Sequence, residues 1–461
     1  MNDLKLTWYG DDFTGSTDVM ETLALAGLRA VLFLVPPETE LLQARFSDVQ
    51  ALGVAGISRA LPTDQLAGEL EPVFAALARI GAPLFHYKMC STFDSAPEVG
   101  SIGRTIELAL RHFPARWVPL VVGAPRLRRF VAFANLFAGF GPEVFRLDRH
   151  PPMRAHPVTP MREADLRLHL AQQTAMPIRH VDLTSFGQHF RERVNQARWT
   201  TGGVTPSIVL FDTCTEEHLE QVGELLWNET GRQFVVGSSG VEHGLVSYLQ
   251  RRGVLPPHKP AITVPEADRV LVVSGSAAPQ TAAQIQHAQE KGFVTLPIAV
   301  ENLLGRAGGK AELERLETAA EERLKAGRSV VVYSARGPVE GSLIGKDPQL
   351  RTLLGAWQGD LLARLIRRTD LRRVCVAGGD TSGMVSRQLG IRALEVAIPI
   401  APGAPLCRVH ADEPTLHGLE IALKGGQNGG TAYFEQVRKG QTEPQYGREL
   451  LEQNSLAGNA N

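Results

Sequence analysis

Short runs of strand-forming residues alternate with helical patterns along almost the whole chain of 461 residues. This alternation predicts α/β layers with largely parallel strands. One stretch, residues 251–268, breaks the pattern with four prolines, which is typical of a semi-rigid linker. We therefore predict two α/β domains at 1–250 and 269–461, joined by this linker, with a cleft between them.

Charge and cysteine content exclude several classes of protein. The 48 Lys and Arg residues nearly balance the 49 Asp and Glu residues, so no general attraction to nucleic acid or anionic membranes follows. The 4 cysteines lie far apart and form no CxxC pair, which argues for a reducing compartment without a zinc site. Since no apolar run approaches the roughly 18 residues of a membrane helix, we expect a cytoplasmic protein.

Two adjacent acids, Asp11 and Asp12, occupy the loop after the first predicted strand. The spacing of Gly10 and Gly15 is that of a phosphate-binding P-loop, but Ser16 stands where such a loop needs lysine. Carboxylates repel phosphate and accept hydrogen bonds from hydroxyl groups, so this loop predicts a polyhydroxylated ligand. The alternative is that Asp12 merely caps the following helix.

Three more predicted strands in the N-terminal half end in polar side chains. Arg59 is placed to clamp a carboxylate bidentately, and Arg126 is a second candidate for that role. Lys88 ends another strand and precedes hydroxyl groups such as that of Ser91, a set that could bind sugar hydroxyls and stabilise charge. Solvated surface charge and ordinary turn capping are the alternatives at these positions.

Three glycine-rich loops in the C-terminal half each join a predicted strand to a helix. Glycines let backbone N–H groups approach a ligand and a helix N-terminus favours anions, so these loops predict a nucleotide phosphate site. Lys424 offers a charge for phosphate, and Asp380 is the candidate Mg²⁺ ligand. None of the loops is a Walker A motif, and each alone is compatible with ordinary turn chemistry. The candidate nucleotide-binding residues are Ser274, Ser276, Gly378, Gly379, Asp380, Thr381, Lys424, Gly425 and Gly426.

Residues 150–161 contain four prolines and are predicted to lack regular structure. We interpret them as a lid or a dimer arm, which leaves a homodimer as an expectation. His156 in this segment is a conceivable catalytic base, although the sequence shows no partner for it. Residues 237–240 (Gly-Ser-Ser-Gly) lack the spacing of a hydrolase nucleophile elbow and favour the start of a helix.

Taken together, these motifs resemble the four-carbon acid sugar kinases, a family that includes 3-oxo-tetronate, threonate and erythronate kinases. The resemblance spans nearly the whole chain and implies that the N-terminal domain binds an acid sugar and the C-terminal domain binds ATP. The proline-rich segment is similar to a subgroup that acts on a branched acid such as 3-oxo-isoapionate. The segments that carry the resemblance are 10–18, 58–59, 88–92, 378–383 and 423–429.

The resemblance implies ATP-dependent phosphorylation of a hydroxyl group on a short sugar acid, with ATP and Mg²⁺ as cofactors. Asp12 would orient or deprotonate the attacking hydroxyl, with Asp11 as its partner, and Lys88 would neutralise charge near the transferred group. Arg59, together with Arg126, would hold the acid's carboxylate. Two alternatives stay open: a non-catalytic nucleotide-binding regulator of the same fold, and an NAD-dependent oxidoreductase, which the missing GxGxxG motif disfavours.

Overall fold

The protein is described by a computed structural model and divides into two compact units, Met1–His258 and Lys259–Asn461. Both units are α/β and mostly parallel, so the predicted fold class is confirmed. Residues 257–262 of the predicted linker lie outside the described part. Within that part, no helix combines the length and apolar character needed to cross a membrane. The described residues are 3–156, 158–198, 206–256, 263–304, 306–337 and 348–448.

The first unit contains an eight-stranded sheet and a small three-stranded sheet. Its strands are β1 (Leu6–Gly10), β2 (Ala30–Phe33), β3 (Ala51–Ala55), β4 (Leu84–Lys88), β5 (Trp117–Val121), β6 (Arg129–Ala132), β7 (Asn135–Phe140), β8 (Glu143–Arg146), β9 (Ile178–Val181), β10 (Ser207–Phe211) and β11 (Gln233–Gly237). The large sheet has the order β2-β3-β1-β4-β11-β5-β10-β9, and its strands pair in parallel. The central strands are buried along their whole length, as expected for a parallel sheet covered by helices.

Helices of the first unit begin where their sequences supply caps. Asp12, Ser101 and Thr215 each accept a hydrogen bond from the backbone N–H three residues further on. The predicted helix start after residues 237–240 is confirmed, since a helix begins at Gly240. The helices are α1 (Phe13–Leu25), α2 (Thr39–Arg45), α3 (Leu66–Ile80), α4 (Ile102–Leu110), α5 (Pro151–Arg154), α6 (Leu166–Leu170), α7 (Phe190–Arg198), α8 (Glu216–Asn228) and α9 (Gly240–Arg251).

The direction in which the chain crosses the large sheet reverses between β1 and β4. After β1 the chain builds β2 and β3 on one side, whereas β4 pairs with β1 on the other side. Loops at the carboxyl ends of two such strands diverge and leave a crevice in which ligands bind. Gly10 pairs in register with Lys88. The acidic loop and the lysine loop therefore meet at this reversal.

The second unit repeats this arrangement with a different set of strands. Its strands are β12 (Leu271–Ser274), β13 (Val294–Pro297), β14 (Val330–Tyr333), β15 (Arg373–Ala377), β16 (Ile391–Ala401), β17 (Ala404–Ala411) and β18 (Glu420–Lys424). They lie in the order β13-β14-β12-β15-β18-β17-β16, with β16, β17 and β18 antiparallel. The direction of winding reverses between β12 and β15, which carry two of the glycine-rich loops. The helices are α10 (Pro279–Glu290), α11 (Arg306–Lys325), α12 (Pro348–Thr369), α13 (Gly379–Gln388) and α14 (Tyr433–Lys439).

The small sheet β6-β7-β8 was not predicted from the sequence. Its first turn uses Phe133 and Ala134 at positive φ values of 49° and 65°, where glycine or asparagine is usual. The fully buried carboxylate of Asp212 accepts hydrogen bonds from both backbone N–H groups, at 2.6 and 2.9 Å. A side chain distant in sequence thus holds a turn that carries no local signal.

Candidate active site

Asp11, Asp12 and Arg59 form one hydrogen-bonded network at the carboxyl ends of β1 and β3. Arg59 donates to Asp11 through Nε (3.2 Å to Oδ2) and Nη2 (2.6 Å to Oδ1). It also donates to Asp12 through Nη1 (2.9 Å to Oδ2) and Nη2 (2.8 Å to Oδ1). These bonds use four of the five N–H groups of a guanidinium. Arg59 therefore holds the two acids in place and has little capacity left for a substrate carboxylate.

Asp12 is both a helix cap and a site residue. Its Oδ1 accepts the Gly15 N–H at 2.8 Å, so the capping interpretation is correct as far as it goes. Since Oδ1 also accepts from Arg59, both of its lone pairs are used, whereas Oδ2 accepts one described hydrogen bond. Oδ2 is the oxygen that can receive a further hydrogen bond from a ligand.

Asp11 is buried beneath this network. Only 2% of the residue is exposed. Burial raises the pKa of Asp11, and the charge of Arg59 opposes that shift. Burial alone would lower the pKa of Arg59, but the two carboxylates outweigh it and hold that pKa well above its ordinary value. The charges of Asp11 and Arg59 thus stabilise each other.

Lys88 lies beside Asp12 and is almost fully buried. Its Nζ donates to the carbonyl of Met89 at 3.1 Å. A Cβ atom added to Gly15 would lie 2.6 Å from Asp12 Oδ1 and 2.9 Å from Lys88 Nζ. Glycine at position 15 therefore lets the carboxylate and the ammonium approach the same point from two sides.

Asp18 is a site residue that our sequence analysis did not single out. Burial raises its pKa, while the charge of Lys88 and the nearby Ser239 hydroxyl lower it. Asp18 lies three residues after Gly15, which puts both on one face of α1. No local signal marks Asp18, because Lys88 and Ser239, which act on its pKa, belong to other parts of the chain.

The first turn of α9 brings a histidine to the same edge of the sheet. Burial lowers the pKa of His243 to about 3, with Arg126 and Lys88 adding to the shift, so the ring is neutral at working pH. Below it, His86 Nδ1 and Glu242 Oε1 lie 2.6 Å apart with both side chains fully buried. This pair connects β4 to α9.

The remaining predicted residues of the first unit have separate surroundings. Arg126 is paired with Glu216 at 2.8 Å, and both side chains are about one-third exposed. Ser91 is half-buried in the turn after β4. Cys90, next to it, lies 3.0 Å from the Thr92 hydroxyl. Of these residues, Arg126 is the one whose positive charge acts on the site, since it helps to lower the pKa of His243.

His156 has partners that the sequence did not reveal, and they argue against a role as a base. Its Nδ1 accepts the Thr159 N–H at 3.0 Å, and the Thr159 hydroxyl donates to Asp94. A neutral ring that accepts at Nδ1 carries its proton on Nε2, so no lone pair remains for catalysis. The network instead anchors residues 158–161 to the loop after β4. The prediction of no regular structure in 150–161 is wrong at its start, where α5 forms.

In the second unit, the three glycine-rich loops lie next to one another, and their role as one nucleotide site stays a prediction. A Cβ atom on Gly426 would lie 2.6 Å from Ser276 Oγ, and one on Gly378 would lie 3.5 Å from the Ser276 backbone N. Gly378 has φ of 127°, a conformation that side chains rarely adopt. The Gly378 N–H donates to the Lys424 carbonyl at 2.9 Å, which joins this loop to the end of β18. Gly379 begins α13, and Gly425 follows directly after β18.

Lys424 ends β18 beneath these loops. It is 1% exposed, and its Nζ donates to Thr281 Oγ1 at 3.2 Å and to the Gly426 carbonyl at 3.4 Å. Burial lowers the pKa of Lys424 to about 8. Ser274, on β12, is also buried, and its hydroxyl has no partner in the described part of the chain. An ammonium held by neutral oxygens is well suited to meet a phosphate.

Asp380, the predicted metal ligand, lies in the first turn of α13, and its side chain lies outside the described residues. Across the described ranges, no group of three His, Cys, Asp or Glu side chains is arranged to hold a metal ion. One carboxylate with phosphate oxygens and water is the donor set that Mg²⁺ prefers in nucleotide sites.

Comparison with known proteins matches both units. One family model, a sugar-binding N-terminal domain, covers residues 6–245, and another, a nucleotide-binding C-terminal domain, covers residues 271–434. The chain is 45% identical over 449 residues to a 3-oxo-isoapionate kinase of Paraburkholderia graminis, covering 95% of this chain and 94% of that protein. It is 30% identical over 434 residues to a 3-oxo-tetronate kinase of Cupriavidus necator, covering 93% and 95%.

Solved structures show the same fold. A Salmonella typhimurium LT2 protein, solved under the provisional description of a tRNA synthase, superposes with a TM-score of 0.76 at 22% identity, over 94% of this chain and 99% of that one. A Haemophilus influenzae protein of the DUF1537 family superposes with a TM-score of 0.70, also at 22% identity and over 94% and 99%. At this level of identity the likeness concerns the fold alone.

Proposed function

This chain belongs to the four-carbon acid sugar kinase family and is an ATP-dependent kinase of a short sugar acid, and we propose that its acceptor is 3-oxo-isoapionate. The observation that carries this choice is the higher identity to the 3-oxo-isoapionate kinase than to the 3-oxo-tetronate kinase. The kinase prediction is confirmed by these relatives, and the non-catalytic regulator is not favoured. A linear 3-oxo-tetronate is the second candidate acceptor.

The two units divide the work in this proposal. The first unit, with its acidic network at the reversal between β1 and β4, binds the sugar acid. The second unit binds ATP at the loops that follow β12, β15 and β18. Carboxylates at the first site would repel a triphosphate, whereas glycine loops with a buried lysine attract one. Domain boundaries near 250 and 269 follow from this division. A homodimer stays a prediction, which light scattering can test.

Asp12 is the residue that we assign to the attacking hydroxyl. Its Oδ2 accepts the hydroxyl proton's hydrogen bond and orients the oxygen towards the γ-phosphorus. A bond forms between these two atoms as the bond from the γ-phosphorus to the β–γ bridging oxygen breaks, and ADP leaves. The hydroxyl proton passes to Asp12 and then to solvent. Phosphoryl transfer depends mainly on such positioning and on charge stabilisation.

Lys88 and Arg59 support this step in different ways. The Lys88 ammonium, beside Gly15, offers positive charge next to the acceptor oxygen. Arg59 acts on the acceptor through the two carboxylates that it fixes, and a direct contact of Arg59, Ser91 or Arg126 with the sugar acid stays a prediction. Asp380 would hold Mg²⁺, which neutralises phosphate charge when bound.

Measuring ADP release with a panel of sugar acids tests the proposed acceptor. We expect kcat/KM for 3-oxo-isoapionate to exceed that for 3-oxo-tetronate by at least about tenfold, because a pocket shaped for one acid discriminates against the other by roughly that much. ADP release without any acid is the control. Equal or reversed values for the two acids would contradict the assignment.

Above pH 8, we expect the Lys424 side chain to take up a proton when ATP binds. In the free protein its ammonium deprotonates as pH rises through about 8. A bound phosphate stabilises the charged form and raises that pKa, so the Kd for ATP should rise above pH 8 by up to about tenfold per pH unit. Calorimetry in buffers of different ionisation enthalpy measures the proton uptake.

Two variants separate Lys424 from other lysines. Lys424→Met should abolish the proton uptake and the steep pH dependence of Kd. Lys325→Met, which removes an exposed lysine paired with Glu321, should leave both unchanged. Proton uptake that persists in Lys424→Met would show that another group responds to the nucleotide.

A further inference from the structure

Arg129 is a charged residue at the carboxyl edge of the large sheet that neither our sequence analysis nor the mechanism above uses. Its backbone pairs with Ala124, just beyond the end of β5: the Arg129 N–H donates at 3.1 Å and the Ala124 N–H donates back at 2.9 Å. The residue then begins β6. Its position is therefore set by the main sheet and by the small sheet together.

One end of its guanidinium is anchored and one edge is free. Nη1 donates to the backbone carbonyls of Leu127 (2.9 Å), Arg128 (3.2 Å) and Gly139 (3.5 Å). Nε is buried and has no acceptor among the described residues, and Nη2 makes no described hydrogen bond. The Nε and Nη2 N–H groups point in parallel from one edge of the guanidinium plane. Backbone carbonyls therefore fix the guanidinium and leave two parallel N–H donors without a described partner.

The charge of Arg129 is not balanced by a carboxylate of the described chain. Burial lowers its pKa, the Cys90 thiol opposes the shift, and the positive charge of Arg128 adds to it. The same thiol also raises the pKa of Arg59, so both guanidiniums lie near Cys90. A half-buried guanidinium without a counter-ion is costly. An anionic ligand beside Cys90 would remove that cost.

The other two arginines at this edge are already paired. Arg59 donates four hydrogen bonds to Asp11 and Asp12, and Arg126 forms an ion pair with Glu216. A sugar acid whose hydroxyl meets Asp12 still needs a partner for its carboxylate.

We propose that Arg129 binds the carboxylate of the sugar acid through its Nε–Nη2 edge and so selects acids over neutral sugars. The two oxygens of a carboxylate match two parallel N–H donors, which lysine cannot reproduce. This inference rests on the proposed function of the first unit as the acceptor site. It makes Arg129 a specificity-determining residue.

Steady-state kinetics of Arg129→Met, Arg129→Gln and Arg129→Lys with 3-oxo-isoapionate test the proposal. The Met and Gln variants should raise KM for the acid by about 100-fold with kcat changed little, since a bidentate charged pair is lost from ground state and transition state alike. The Lys variant should recover part of the loss. KM for ATP should stay constant. Arg146→Met, on the exposed face of β8, is the matched control and should keep KM unchanged.

A neutral carboxamide of the same acid separates recognition of charge from loss of structure. Wild type should bind it about 100-fold more weakly than the acid, and the Arg129 variants should bind acid and amide alike. Unchanged KM for the acid in Arg129→Gln, or an equal loss for acid and amide, would overturn the role of Arg129. If wild type instead phosphorylates a different sugar acid, the proposed acceptor is wrong, and the KM of that acid then decides the role of Arg129.

Discussion

Replacing Asp12 by asparagine should lower kcat by about 10²- to 10⁴-fold, the usual contribution of a group that accepts a proton in the reaction. Thermal stability should fall only modestly, because asparagine caps helices as well as aspartate does, its Oδ1 can still accept the Gly15 N–H, and Arg59 keeps its two hydrogen bonds to Asp11 when it loses the one to Asp12 Oδ2. The substitution removes the charged Oδ2 that we assign to the acceptor hydroxyl. Acid-dependent ADP release and a thermal melt measure the two effects.

Two controls separate catalysis by Asp12 from capping. Asp12→Ala should lose kcat and also about 1 kcal/mol of stability, because the cap is lost. Ser101→Ala removes another helix cap, the one that accepts the Arg104 N–H, and should cost similar stability with kcat retained. A near-normal kcat in Asp12→Asn would contradict a catalytic role of Asp12 and would leave it with the role of a helix cap.

Replacing Arg59 by methionine should destabilise the first unit by about 3–5 kcal/mol, the cost of breaking a buried ion pair on one side only. Asp11 is 2% exposed, and Arg59 is the first group that offsets its burial. Without the guanidinium, both Asp11 and Asp12 lose their orientation, so activity should fall with stability. Chemical denaturation followed by circular dichroism measures the loss.

The stability lost in Arg59→Met should depend on pH. Burial already raises the pKa of Asp11, and removing Arg59 raises it further. The folded protein then binds a proton more tightly than the unfolded chain, so stability falls as pH rises through that pKa and recovers in acid. The double variant Arg59→Met with Asp11→Asn should regain stability and lose the pH dependence. A single variant as stable as wild type at neutral pH would contradict this account.

Local sequence patterns predicted much of the fold. Hydrophobic periodicity and composition predicted the alternating strands and helices, because parallel strands buried on both faces appear in the sequence as short apolar runs. The central strands β1 and β4 appear where they were expected, and so does the start of α9. The small sheet was missed because Asp212, some 80 residues away, holds its first turn.

The candidate site divides in the same way. Asp11, Asp12 and Lys88 were recognisable because each ends a strand or opens a helix within a few residues. Asp18, His243 and Arg129 were not, because their functional surroundings come from other elements. Arg59 was expected at the same site as the two acids, but its hydrogen bonds to them were not predicted, and its contact with a substrate carboxylate stays a prediction.

The sequence by itself determined the two α/β halves, the acidic loop after β1 and the three glycine-rich loops, because these depend on chemistry within a few neighbouring residues. Only the tertiary structure decided which charges are already paired. Hydrogen bonds between side chains fall off steeply with distance, so whether Arg59 or Arg129 has donors left for a ligand depends on how β1, β3 and β6 are brought together. That pairing, not the presence of arginine, decides which residue can read the carboxylate of the acceptor.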